Sequence, residues 1–119
     1  VDGTLEGAYV NKTVTSVGHG VFAYCSNLTV VDLYVATSID DRAFYNCREL
    51  STLILRSDTM CTLVTSPLVF SNCPIRDGTG YIYVPAALVD TYKADSVWST
   101  YAAQIRAIED YPEITGGAK

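Results

Sequence analysis

The chain has 119 residues and a formal net charge of −5, with 8 Lys and Arg against 13 Asp and Glu. Hydrophobic residues make up 49% and charged residues 18%, which predicts one folded domain rather than a disordered chain. The acidic balance argues against nucleic-acid binding, which needs clustered cations, and no apolar run is long enough to span a membrane. Residues 1–3 do not begin a signal peptide, so we expect none in this segment.

A sequence unit recurs along the first two thirds of the chain. Residues 9–14 fit half of it, residues 15–28 form the first full copy, and residues 37–50 repeat that copy with a constant offset of 22. A third copy follows at an offset of 26, so it carries an insertion of four, which we place in residues 57–66. The interior positions shared by the copies, which we expect to stack on one another, are Phe22, Cys25, Leu28, Phe44, Cys47, Leu50, Phe70 and Cys73.

Each of the first two cysteines is followed by a short predicted strand. Leucine and valine recur there with the spacing Leu-x-x-Leu-x-Leu, and its last two apolar positions point to one face of an extended strand. The residues between and just beyond them should face outward in rows, and they are our candidate binding residues: Val30, Asp32, Tyr34, Thr52, Ile54 and Arg56. Val30 and Ile54 are apolar, so either a terminal segment covers them or they form part of a contact patch.

The third copy and the C-terminal part depart from the repeat. Proline at positions 67 and 74 predicts an irregular repeat, in which Ser66-Pro67 interrupts the strand expected there. A turn at residues 77–80 leads into a strand at residues 81–84, after which the apolar period changes toward that of a helix. Trp98 and Ile105 fall on one helical stripe, where Trp98 is either a core anchor or a ligand-stacking residue.

The 22-residue period lies within the 20–29 residues typical of leucine-rich repeats. We therefore predict an α/β fold: a short right-handed leucine-rich-repeat solenoid of about three turns, mostly β, with a strand-helix C-terminal cap. The repeat region should span residues 1–80, with a partial N-terminal unit, repeats near 15–36 and 37–58, and an irregular repeat at 59–80. The cap should span residues 81–110 and a loose tail residues 111–119.

The four cysteines admit three interpretations. Three of them occupy equivalent repeat positions, which favours buried free thiols; one disulfide between neighbouring repeats or a metal site are the alternatives. Spacings of 22 and 26 match no zinc signature, so we predict no metal site and no cofactor. The single histidine, His19, lies in a Gly-His-Gly turn, and no nucleophile motif is present, so we predict no enzymatic activity.

The segments 15–28 and 37–50, with the ending at residues 82–101, resemble the BspA-type leucine-rich repeats of bacterial surface proteins. The resemblance implies a non-catalytic protein-interaction or adhesion module of a cell-surface or secreted protein, with a protein partner and an extracellular location. Similar endings also resemble structural proteins of phages, so the alternative is an assembly component of a virion or similar particle. The sequence leaves the identity of the partner and the oligomeric state open.

Overall fold

The computed structural model describes residues 6–116, so the first five residues of the predicted repeat region and the last three of the predicted tail lie outside it. The strands are β1 (Glu6–Asn11), β2 (Ser16–Val17), β3 (Asn27–Leu33), β4 (Ser38–Ile39), β5 (Thr52–Leu55), β6 (Thr62–Leu63), β7 (Tyr81–Val84) and β8 (Ile105–Ala107). The α-helices are α1 (Pro74–Asp77), α2 (Val89–Ala94) and α3 (Pro112–Thr115), and 3-10 turns span Ala86–Leu88, Trp98–Gln104 and Ile108–Asp110.

The strands form two parallel sheets that follow the sequence repeat. One sheet has five strands in the order β1-β3-β5-β7-β8, and the other has three in the order β2-β4-β6. Val31 pairs with Leu53 and Val17 pairs with Ile39, each 22 residues apart. The sequence period is therefore the spacing between paired strands, and each of the first two full copies supplies one strand to each sheet. The result is an α/β repeat fold.

The repeated apolar positions build the core. Side chains from both sheets belong to one buried cluster, which includes Val17 and Val31. Inside it the rings of Phe22, Phe44 and Phe70 stack in parallel, with centroids 5.4 and 5.5 Å apart and interplanar angles of 1°. Because a single repeat cannot bury its own apolar face, these contacts between neighbouring copies stabilise the fold.

All four cysteines are buried as thiols. The thiol of Cys47 donates to the carbonyl oxygen of Phe22 at 2.9 Å, and that of Cys73 donates to the carbonyl of Leu50 at 3.4 Å. Each of these thiols thus reaches back to the backbone of the preceding repeat. The structure agrees with the interpretation of the cysteines as buried thiols and not with the disulfide alternative.

The third repeat keeps its strand in the three-stranded sheet, β6, which corrects one sequence expectation. Strand β6 follows β4 by 24 residues, whereas Phe70 follows Phe44 by 26, so the four extra residues divide into two before β6 and two after it. Ser66-Pro67 therefore lies between β6 and Phe70 and does not interrupt the strand. Proline is accommodated there because that stretch donates no ladder hydrogen bond.

The C-terminal part covers the end of the repeats, but with less helix than the sequence predicted. Trp98 is fully buried, and its indole N–H donates to the carbonyl of Cys61 at 2.7 Å, so it is a core anchor. Ile105 does not lie on a helix: it begins β8, which pairs with β7. Part of the predicted tail is also structured: α3 forms at Pro112–Thr115, and Thr115 is buried.

Candidate interaction surface

The register of the five-stranded sheet places four of the candidate binding residues in two rows on the side opposite the main core. Val30 pairs with Thr52, and Thr52 with Tyr81. In the next row, Asp32 pairs with Ile54, Ile54 with Tyr83, and Tyr83 with Arg106. Tyr34 and Arg56 follow directly after β3 and β5. The structure thus brings all six candidate residues to one face, which we call the outer sheet face.

The C-terminal segment, residues 108–116, covers part of this face. Ile54, Tyr83 and Ile108 are 1–3% exposed and form a second buried cluster, against which the half-buried Tyr111 packs. The rings of Tyr83 and Tyr111 meet edge to face with centroids 5.5 Å apart. Covering by a terminal segment, one of the two alternatives for the apolar outward residues, therefore accounts for Ile54. Whether the six residues bind a partner stays a prediction.

A buried ion pair lies beside this cluster. The guanidinium of Arg56 holds the carboxylate of Asp32 through two hydrogen bonds of 2.8 and 2.9 Å, and it also donates to the carbonyl of Thr115. The hydrogen bond to Asp32 raises the pKa of Arg56 above its ordinary value. Both charges are buried and have lost their hydration, so each is stabilised mainly by the other. Through the hydrogen bond to Thr115, the pair also holds the end of α3 against the sheet.

Arg106 is held between two aromatic rings at the other end of the covered region. Its guanidinium carbon lies 3.4 Å from the ring centroid of Tyr81 and 4.6 Å from that of Tyr111. Sequence reasoning missed Arg106 and Tyr111 because it placed them on a helix and in a tail. The alternation of residues 105–107, apolar then charged then apolar, is the strand signal that could have identified Arg106.

The N-terminal half of the outer sheet face is left open by the C-terminal segment. Val10 is 54% exposed on the described edge strand of the five-stranded sheet, Ala8 beside it is exposed, and Val30 is half-buried. Next to them the ammonium of Lys12 lies 5.2 Å from the ring centroid of the half-buried Tyr34. We call these five residues the open patch: an aliphatic centre with an aromatic ring and a cation at its margin.

The described residues contain no candidate metal site. Within residues 6–116 no group of three or more His, Cys, Asp or Glu side chains could hold an ion. Burial raises the pKa of Cys47, Cys61 and Cys73 to about 12, so these thiols stay protonated at neutral pH and are poor nucleophiles. The same part of the chain contains no helix long and apolar enough to cross a membrane.

Comparison with models of known protein families gives a match over most of the chain. The family model described as "BspA type Leucine rich repeat region (6 copies)" matches residues 3–77, which include the first two full copies and most of the irregular third. No curated protein matches the chain.

Proposed function

Since the chain belongs to the BspA-type leucine-rich repeat family, we propose that it is a non-catalytic protein-interaction module, part of a cell-surface or secreted protein of a bacterium. We infer further that its repeats form a short right-handed solenoid, which the two parallel sheets with a 22-residue strand spacing support. Modules of this architecture bind partners through an extended face, and the partner contacts are made by residues that the fold itself does not require.

The observation that carries this proposal is the open patch on the outer sheet face. Ala8, Val10 and Val30 leave apolar surface uncovered where the C-terminal segment stops, and Tyr34 adds an aromatic ring with a cation above it. Exposed apolar surface edged by polar groups is typical of interaction sites, and tyrosine is enriched among the residues that dominate binding energy. Adhesion to a protein of a host or a neighbouring cell is the function that this surface and the family support together.

Surface plasmon resonance against a panel of purified extracellular-matrix proteins tests the proposal. We expect Val10→Asp and Tyr34→Ala each to weaken binding by about tenfold or more, because the first places a charge in the aliphatic centre of the open patch and the second removes its aromatic ring. Ile114→Asp is the matched control: Ile114 is an exposed apolar residue outside the open patch, 46% exposed, and its variant should bind like the natural chain.

Two results would contradict adhesion through this patch. One is binding that all three variants retain, which would place the contact elsewhere. The other is a stable oligomer in light scattering that Val10→Asp dissociates, since the patch would then join copies of this chain. That second result would support the alternative of a virion or assembly component.

A further inference from the structure

The row of the outer sheet face that begins in the open patch continues beneath the C-terminal segment. Val10 in the open patch pairs with Asp32 on the next strand. Asp32 pairs with Ile54, and Ile54 pairs with Tyr83, so the row crosses about 14 Å of sheet at 4.8 Å per strand. Ile54 and Tyr83 are each 1% exposed, and the segment helps to cover them. Apolar and aromatic surface continuous with the open patch therefore lies under the segment.

Side chains, not a strand ladder, attach the segment to this face. Among the described residues, the backbone N–H groups of Tyr111, Ile114 and Gly116 donate only to carbonyls of the segment itself. Its attachments include the ring contact of Tyr111 with the sheet and the hydrogen bond that Arg56 donates to the carbonyl of Thr115. Helix α3 has four residues, too few to be stable without such contacts. The segment can therefore leave the face without breaking a backbone hydrogen bond of the sheet.

The contacts that hold the segment are ones that another peptide can supply. Tyr111 packs on Tyr83 and lies beside the guanidinium of Arg106, and any aromatic side chain can take that place. Arg56 donates to the main-chain carbonyl of Thr115, a group that every peptide has. The face thus recognises an aromatic ring and a carbonyl rather than the particular sequence of the segment.

We propose that the C-terminal segment is a releasable strap, and that the covered row beneath it is the second half of the surface that binds the protein partner. The partner that fits is an extended segment that lays an aromatic side chain against Tyr83 and Arg106 and offers a main-chain carbonyl to Arg56. This inference rests on the proposed function and adds its regulation. A tethered strap competes at an effective concentration on the order of millimolar, so weakening the strap raises the affinity for the partner.

Native-state thiol labelling tests whether the strap leaves the face while the rest of the protein stays folded. Ile54→Cys places a thiol under the strap, and the four buried natural cysteines report global unfolding in the same molecule. We expect the introduced thiol to react with an aromatic disulfide reagent about tenfold faster than the natural ones, or more.

Leu53→Cys is the matched control for this labelling. Leu53 precedes Ile54 in strand β5 but is buried in the main core cluster, so a thiol there should react only together with the natural cysteines. If the thiol at position 54 also reacts only at that rate, the segment leaves the face only on global unfolding, and the proposal is wrong.

The segment's own sequence, added as a free peptide, tests whether the face accepts a segment from outside. The probe is acetyl-Ile-Glu-Asp-Tyr-Pro-Glu-Ile-Thr-amide, which copies residues 108–115, and the control probe has Ala in place of Tyr. We expect the probe to shift the amide resonances of Ile54 and Tyr83 in the ¹⁵N-labelled Tyr111→Ala chain. Its affinity for that chain should be about tenfold higher than for the natural chain, whose strap competes.

The control probe should bind the Tyr111→Ala chain about tenfold more weakly than the probe, because it lacks the ring. Absence of binding to the Tyr111→Ala chain, or equal affinity of the probe for the two chains, overturns the proposal. Because the labelling experiment keeps Tyr111, it decides the question if that variant does not fold.

The matrix-protein experiment separates this inference from the proposed function. For a matrix protein that binds the natural chain, Tyr111→Ala should raise the affinity about tenfold, because the covered row is then accessible. Unchanged affinity would leave adhesion through the open patch standing and rule out the strap. If no matrix protein binds either chain, adhesion is wrong, whereas the labelling rates and the probe still decide whether the strap is released.

Discussion

Cys47 occupies a position that recurs in each full copy of the repeat. It lies in the core between the neighbouring repeats, and its thiol donates to the backbone of the repeat before it. Burial, and then the nearby Cys73, raise the pKa of Cys47 to about 12, because an ionised thiolate would lose its hydration in the core. Burial alone raises the pKa of Cys61 to the same value. The folded state therefore requires these thiols to stay protonated.

This requirement predicts an alkaline loss of stability. In the unfolded chain a thiol ionises near pH 9, whereas in the folded chain Cys47, Cys61 and Cys73 ionise near 12. Between these values the unfolded state releases protons that the folded state retains, so raising the pH favours unfolding. We expect the free energy of unfolding to be unaffected by these thiols below about pH 8 and to fall above pH 9 by about 1.4 kcal/mol per pH unit for each thiol.

Urea unfolding followed by circular dichroism from pH 7 to pH 10.5 measures this slope. Cys47→Ala supplies the control, since it removes one titrating group while keeping a small apolar side chain. Its stability should be lower at neutral pH but should fall less steeply above pH 9. Equal slopes in the two proteins would show that Cys47 does not stay protonated in the fold.

Asp32 and Arg56 mark the limit of residue-level prediction. The repeat correctly places both beyond the core positions on one face, but the register pairs Asp32 with Ile54, not with Arg56. The ion pair forms along the diagonal of the sheet, and a carbonyl from Thr115 completes it. A contact that depends on a segment 59 residues away cannot be read from the spacing of two strands.

At the scale of elements, the sequence predicted the strands better than the C-terminal segment. Equivalent strands of a repeat share one sequence pattern, so β3 and β5 could be placed from their shared leucine spacing. Ile105 stands alone: its four-residue distance from Tyr101 fits a helix, and its two-residue distance from Ala107 fits a strand. Such short segments are decided by tertiary pairing, here with β7, which only the assembled sheet supplies.

The contacts of the C-terminal segment predict that Tyr111 anchors it. Tyr111→Ala removes the edge-to-face contact with Tyr83 and one of the two rings around Arg106, and it opens the cluster above Ile54. We expect a loss of about 1–3 kcal/mol in the free energy of unfolding, measured by urea denaturation.

Ile114→Ala tests whether this effect is specific to the anchor. Ile114 belongs to the same helix α3 but is 46% exposed and lies outside both buried clusters. Its truncation should change stability by less than about 0.5 kcal/mol. Similar losses in the two variants would mean that α3 is held by its own helical contacts rather than by Tyr111.

At the scale of the molecule, the described part of the chain is nearly as wide as it is long, with principal extents of 34, 28 and 26 Å. Five strands spaced about 4.8 Å apart span only about 19 Å, so a stack of this size cannot be elongated. The near-equal extents of the described part therefore follow from the small number of stacked strands.

This geometry predicts that repeats and cap unfold together. The main core cluster runs without interruption from Val17 in the first repeat to Ile105 in β8, and Phe70 lies 6.4 Å from Trp98 between ring centroids. Removing the cap would expose the edge of the last repeat, and the repeats cannot bury that surface by themselves.

Trp98 is the only tryptophan in the chain, so its fluorescence reports on the cap, whereas far-ultraviolet circular dichroism is dominated by the strands of the repeats. Urea titrations followed by the two signals should therefore give one coincident transition with a common midpoint. A fluorescence change at clearly lower urea would instead show that the cap detaches first, and that the repeats are stable without it.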